Sequence, residues 1–155
     1  MRVDVRAMEP GESVTLPVDG PVALQIDEQT VEVQASGTLR VDRTTHGVLV
    51  RGRVRAAVPL ICSRCLIPFE ADAGVPVEEE FSLTPVGADE GGELSPEDFA
   101  SWVGPGHEVD LTEVVRQSLQ MSVPMAPLHA DDCRGLCPVC GTNWNERRCE
   151  HYRQE

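Results

Sequence analysis

Alternation of apolar and polar residues fills the first half of the chain, and one later stretch carries helical spacing. Residues 1–5 alternate as a short strand. Residues 13–18 and 22–26 read as two strands parted by a turn at Asp19-Gly20-Pro21, a run of turn-forming residues. Residues 31–41 alternate again, with Gly37 a candidate bulge, and a turn through 44–47 leads into the longest strand signal, 48–61. There the even positions Val48, Val50, Val54, Ala56, Val58 and Leu60 are apolar, while Arg51, Arg53 and Arg55 share the opposite face. One face is therefore core and the other a basic stripe. Residues 69–83 alternate once more, with Pro76 favouring an edge position, and Cys62-Ser-Arg-Cys65 caps the hairpin between these last two strands.

Residues 84–105 are rich in Gly, Pro and acid and read as a loop, broken by a short helix that Ser95 caps and Pro96 begins. Asp110 opens a stronger helix, with Glu113 as capping-box partner and Leu111, Val114, Val115, Ser118, Leu119 and Ser122 on its inward face. It ends before Pro124.

The stretch from 129 to 151, HADDCRGLCPVCGTNWNERRCEH, packs six soft metal-ligand candidates into one segment. Cys137 and Cys140 form a CPVCG knuckle, in which a two-residue gap lets both sulfurs face one ion. Cys149 and His151 complete a set of four with them. His129 and Cys133 stand just upstream, and the earlier pair Cys62 and Cys65 supplies what they lack, so eight ligands make two tetrahedral sites. A single four-cysteine site of Cys62, Cys65, Cys137 and Cys140 is the alternative. The fold class expected is α+β: mainly antiparallel sheet or a partly open barrel, with a packed C-terminal helix and a zinc-ribbon-like tail. Residues 1–128 form the core domain, with the helix over about 110–122, and 129–155 the zinc-binding tail packed on the 62–65 hairpin.

The start of the chain has no apolar signal core, and no apolar run of membrane length occurs, so the reading is cytoplasmic with no membrane partner. In a reducing compartment paired CxxC elements mean metal or redox chemistry, and CPVCG within a Cys/His-rich tail argues for metal over disulfides. The net charge of −13 sits in one place: residues 65–115 hold thirteen acids and no Arg, while the remainder balances thirteen Arg against thirteen acids. The chain has no lysine, which excludes Schiff-base and P-loop lysine chemistry. Arg51, Arg53, Arg55, Arg64, Arg134, Arg147 and Arg148 are the candidate phosphate contacts; the plainer account of the stripe is a solvated sheet face balancing nearby acids.

CSRCL after a long strand, then SLQMSVPMAPL, HADDCRGLCPVCGTNWN and a closing C-x-H resemble the YceD family, associated with accumulation of large-subunit ribosomal RNA. The resemblance covers residues 39–151, with His129 and His151 where zinc-bearing members carry cysteine, and Trp144 where a leucine is expected. Histidine in place of cysteine keeps a zinc ligand but could not keep a disulfide. The resemblance implies a non-enzymatic factor holding two Zn2+ and supporting 23S rRNA accumulation or processing, with a ribosomal RNA precursor or a ribosomal protein as partner. Two other classes compete with it. A zinc hydrolase or nuclease would need an open coordination position, and a thiol redox protein a reversible Cys62–Cys65 disulfide.

Overall fold

The computed structural model describes residues 1–83 and 101–152. The elements in order are β1 (Arg2–Asp4), a 3-10 turn (Val5–Ala7), β2 (Ser13–Ile26), β3 (Gln29–Arg43), β4 (Gly47–Ile61), β5 (Pro68–Ser82), β6 (Ser101–Trp102), β7 (Glu108–Asp110) and α1 (Leu111–Ser122). The short helix expected at Ser95 lies outside the described residues.

Strands β2 to β6 form one sheet in sequence order, antiparallel except for the parallel pair of β5 with β6, and the sheet does not close on itself. The architecture is thus an open, mostly antiparallel sheet with one C-terminal helix. A second, two-stranded sheet joins β1 to β7 and holds the first residues beside the helix start. The alternation in β4 is realised in full: Val48, Val50, Val54, Ala56, Val58 and Leu60 are buried, and Arg51, Arg53 and Arg55 are exposed. Leu111, Val114, Val115 and Leu119 of α1 join the same core as Leu39 and Val41 of β3. Each fully buried Leu contributes about 2 kcal/mol of transfer free energy.

Three local expectations need correction. Asp19-Gly20-Pro21 makes no turn: β2 runs straight through it, pairing Asp19 with Ser36, Gly20 with Ala35 and Pro21 with Gln34. The reason is polarity of the edge. Gln25 gives both its backbone groups to the Gln120 side chain, donating its N–H to Oε1 (2.7 Å) and accepting from Nε2 (2.7 Å), so the odd residues of β2 face away from β3. Pro17 and Pro21 are odd, and the N–H each lacks would have pointed off the sheet. Val103 donates its N–H to the Ser82 carbonyl, which sets the even residues of β5 outward, Pro76 among them.

Gly37 is not a bulge, because the registers of β3 with β2 and with β4 pass through it unbroken. It is there for close approach: a Cβ at Gly37 would stand 2.2 Å from the Arg53 carbonyl oxygen. The capping box is half-formed. Asp110 accepts from the Thr112 N–H (3.0 Å), but Glu113 turns along the helix to Arg116 and Gln117, which hold its carboxyl well below the usual range.

The sheet also divides. The β2–β3 ladder extends to Ile26 with Gln29, and the β4–β5 ladder to Ile61 with Pro68, but the β3–β4 ladder stops at Ala35 with Ala56. Cys62 donates its N–H toward β5, to the Ile67 carbonyl, so even residues of β4 face β5 and odd ones face β3. Pro59 is odd and has no N–H to offer β3. Beyond Ala56 the two hairpins are separate arms.

Candidate metal centres

The second arm ends in Cys62-Ser63-Arg64-Cys65, and the tail carries Cys137-Pro138-Val139-Cys140. The two turns share one backbone frame. Leu66 donates its N–H to the Cys62 carbonyl (2.9 Å) and Cys62 donates to Ile67 (2.9 Å); Gly141 donates to Cys137 (2.9 Å) and Cys137 to Thr142 (2.9 Å). The residue after each second cysteine is left-handed, Leu66 at φ 59° and Gly141 at φ 69°. Glycine suits that conformation and leucine does not, so the first turn holds a strained residue in the place the second gives to glycine.

Cys62, Cys65, His129 and Cys133 bring one ligand atom each to a common point, all within 4.8 Å of one another, and Cys137, Cys140, Cys149 and His151 do the same. The structure thus brings together the two sets of four, rather than the single set of four cysteines. In the first set the Cys62 and Cys133 sulfurs are 3.7 Å apart, and His129 Nδ1 lies 3.3 Å from Cys65 Sγ and 3.4 Å from Cys62 Sγ. A tetrahedral ion with metal–sulfur bonds near 2.3 Å and metal–nitrogen near 2.1 Å would set those edges at about 3.8 and about 3.6 Å. The donors fit a zinc-sized ion.

The electrostatics point the same way. Burial opposes ionisation of Cys62, but His129 and the amides of Cys65 and Arg64 outweigh it and bring the thiol down to about 5. Burial, with Cys62 and Cys133 alongside, pushes Cys65 up to about 11. In the second set burial raises Cys137, whereas the Thr142 hydroxyl and amide lower Cys140 to about 7, and the Trp144 indole N–H lowers Cys149. Thiols packed this closely cannot all ionise unless a cation lies between them. Each set also has supporting donors: Asn145 Nδ2 reaches Cys133 Sγ and Trp144 Nε1 reaches Cys149 Sγ, both at 3.4 Å.

Their settings differ. Cys62, Cys65 and Cys133 are buried in a small core of their own with Ile67, Phe69, Leu128 and Leu136 against them. The tail is hydrogen-bonded to the arm there: Ser63 donates to the Pro127 carbonyl (2.8 Å), Leu136 to Arg64 (3.1 Å), and the Arg64 guanidinium to Cys133 (2.9 Å). In the second set Cys137 is buried and Cys140 is exposed.

The candidate phosphate contacts are scattered. Arg51, Arg53 and Arg55 stand on the outer sheet face with no ion pair within 4 Å among the described residues; Glu78 is opposite Arg51 in the ladder, and a trough of about 500 Å³ opens at Arg53 and Arg55, lined also by Ser36, Thr38, Asp72 and Gly74. Arg64 is engaged with Cys133, Arg148 lies 4.8 Å from the centroid of the Tyr152 ring, and Arg134 and Arg147 are exposed. Sequence reasoning missed Asn145, Trp144 and Thr142 as supports of the sulfurs. Their signal was position alone, within five residues of a cysteine.

Residues 50–155 match the family described as Large ribosomal RNA subunit accumulation protein YceD. An uncharacterised protein of Mycobacterium tuberculosis is 35% identical over 103 residues, 66% of this chain and 48% of its own. One of Mycobacterium leprae is 29% identical over 138 residues, 86% and 62%. An Arabidopsis thaliana protein named Large ribosomal RNA subunit accumulation protein YCED homolog 1, chloroplastic, is 29% identical over 48 residues, 31% and 15%. The chain spans about half the length of the first of these relatives. No solved structure matches it significantly.

Proposed function

The chain belongs to the YceD family, and on that premise we propose that it is a non-enzymatic, zinc-binding factor of the cytoplasm that supports accumulation or processing of 23S rRNA during large-subunit assembly. The observation that carries the proposal is the family match over residues 50–155, a span that includes all eight candidate ligands. Zinc, held by Cys62, Cys65, His129 and Cys133 and by Cys137, Cys140, Cys149 and His151, would serve as a structural clamp. Four protein donors in each set favour that role over a zinc hydrolase or nuclease, which keeps a position open. Sharing of Cys62 and Cys65 with His129 and Cys133 likewise favours metal over a cycling disulfide.

The factor acts by contact. The partner is ribosomal RNA precursor, met by the exposed row Arg51, Arg53 and Arg55, with Arg134, Arg147 and Arg148 beyond it; alternate positions on the strand place the row's members about 7 Å apart, near the phosphate spacing of an RNA strand. Arg64 supports the clamp and is the weakest of the seven as an RNA contact. The test is co-sedimentation with large-subunit precursors. Changing Arg51, Arg53 and Arg55 to Gln should flatten the logarithmic salt dependence by about two to three phosphate contacts while leaving the fold intact. Unchanged co-sedimentation would move the contact off this face.

A further inference from the structure

The division of the sheet creates a cleft. Between the tip of the first arm, the end of β4 with its knuckle, and the exit of α1 lies an opening of about 430 Å³. Its walls are mixed: Gln25, Asp27, Ser63 and Gln120 share the lining with Ile26, Leu60, Ile61, Leu66, Val123 and Met125, of which Ile61, Leu66 and Met125 are more than half exposed to solvent. Such side chains, gathered in one concave place on a monomer, mark an interaction site more often than chance exposure does. The walls are fixed from both sides. Gln120 of α1 holds the first arm through both backbone groups of Gln25, and the Pro127 carbonyl holds the knuckle through the Ser63 N–H. The cleft is preformed rather than a gap between loose ends.

The one charge on its described lining is negative. Asp27 lines the cleft with Glu28 next to it in sequence, no Arg or His is among the described lining residues, and the guanidinium of Arg64, which follows lining Ser63, is held by the Cys133 carbonyl. The C-terminal end of α1, with no basic residue in its last turn, exits at Val123, Pro124 and Met125 on the cleft wall and brings the negative end of its dipole there. None of the described lining residues is a cation that would hold an RNA phosphate. A second copy of a chain with net charge −13 is repelled. We infer that this cleft docks a protein segment in which apolar anchors stand next to lysine or arginine.

This site is separate from the arginine row on the outer face, so the inference does not rest on the RNA reading. The probe is a short synthetic peptide alternating leucine and lysine, compared with its leucine–glutamate counterpart and followed by amide chemical shifts of the full chain carrying its metal. The leucine–lysine peptide should bind and shift Ile61, Leu66, Gln120 and Met125, and the glutamate version should compete poorly with it. Met125→Arg, at a fully exposed position where folding is not at stake, should weaken binding about tenfold, and Asp27→Asn about threefold at low salt. The Arg51, Arg53 and Arg55 triple change should leave peptide affinity alone, which separates failure here from failure of the RNA contact. The inference is overturned if neither peptide binds, if both bind alike, if the shifts fall elsewhere, or if Met125→Arg has no effect. It is equally overturned if oligouridylate displaces the peptide, or if the chain self-associates through this cleft and Met125→Arg abolishes that.

Discussion

The two candidate metal centres have the same knuckle and different jobs. The first joins an arm of the sheet to a segment that returns only after α1, so its ligands come from residues 62–65 and 129–133, and it is buried. The second draws its ligands from residues 137–151 alone and leaves Cys140 in solvent. What the contrast teaches is that ligand count and turn geometry do not set the structural consequence of a metal site. The span of chain it closes, and what packs over it, do.

The largest expected effect breaks the first centre. Cys133→Ser should lower bound zinc by one per chain and undock the tail, because the Leu136, Arg64 and Ser63 contacts depend on it; metal analysis with limited proteolysis between α1 and residue 137 checks this. Retained protection of the 123–136 stretch would show that hydrogen bonds alone dock the tail. Cys140→Ser should be milder. It should also remove one zinc, but disorder only residues 137–152, leaving Cys133 and the sheet protected from amide exchange. Loss of both ions in that variant would mean that the two centres fold as one unit.

The smallest effect sharpens the likeness of the knuckles themselves. Leu66→Gly should stabilise the fold by about 1 kcal/mol by relieving the left-handed leucine, and Gly141→Leu should cost about as much, both read from thermal unfolding. Equal and opposite shifts would confirm one frame in two places. A destabilising Leu66→Gly would instead assign the exposed leucine a packing role that outweighs its strain.

Legibility in the sequence followed the range of the interactions. The β4 alternation, the α1 face and the candidate ligands could be read because each follows a short-range rule of strand, helix or Cys/His spacing. Ligand count grouped Cys62 and Cys65 with His129 and Cys133, and the structure brings those four side chains together. The failures have a common cause. Asp19-Gly20-Pro21 signals a turn locally, yet a proline whose absent N–H faces off an edge costs the sheet nothing, and only the finished register says which way it faces. Gly37 looked like a bulge because its neighbour, the Arg53 carbonyl, belongs to another strand. The pairing of Arg2 with Asp110 spans most of the chain and leaves no local trace.

The prolines on the outer strands also govern how these molecules behave at high concentration. A free strand edge is a template on which other chains can add, and growth in that direction is the route to fibrils and precipitates. On β2 an incoming strand would meet missing donors at Pro17 and Pro21 and a ladder position already taken at Gln25; on β5 it would meet Pro76. Neither edge offers a long unbroken row of hydrogen-bonding groups. Among the described residues, each long edge of the sheet thus carries a barrier to the addition of a further strand.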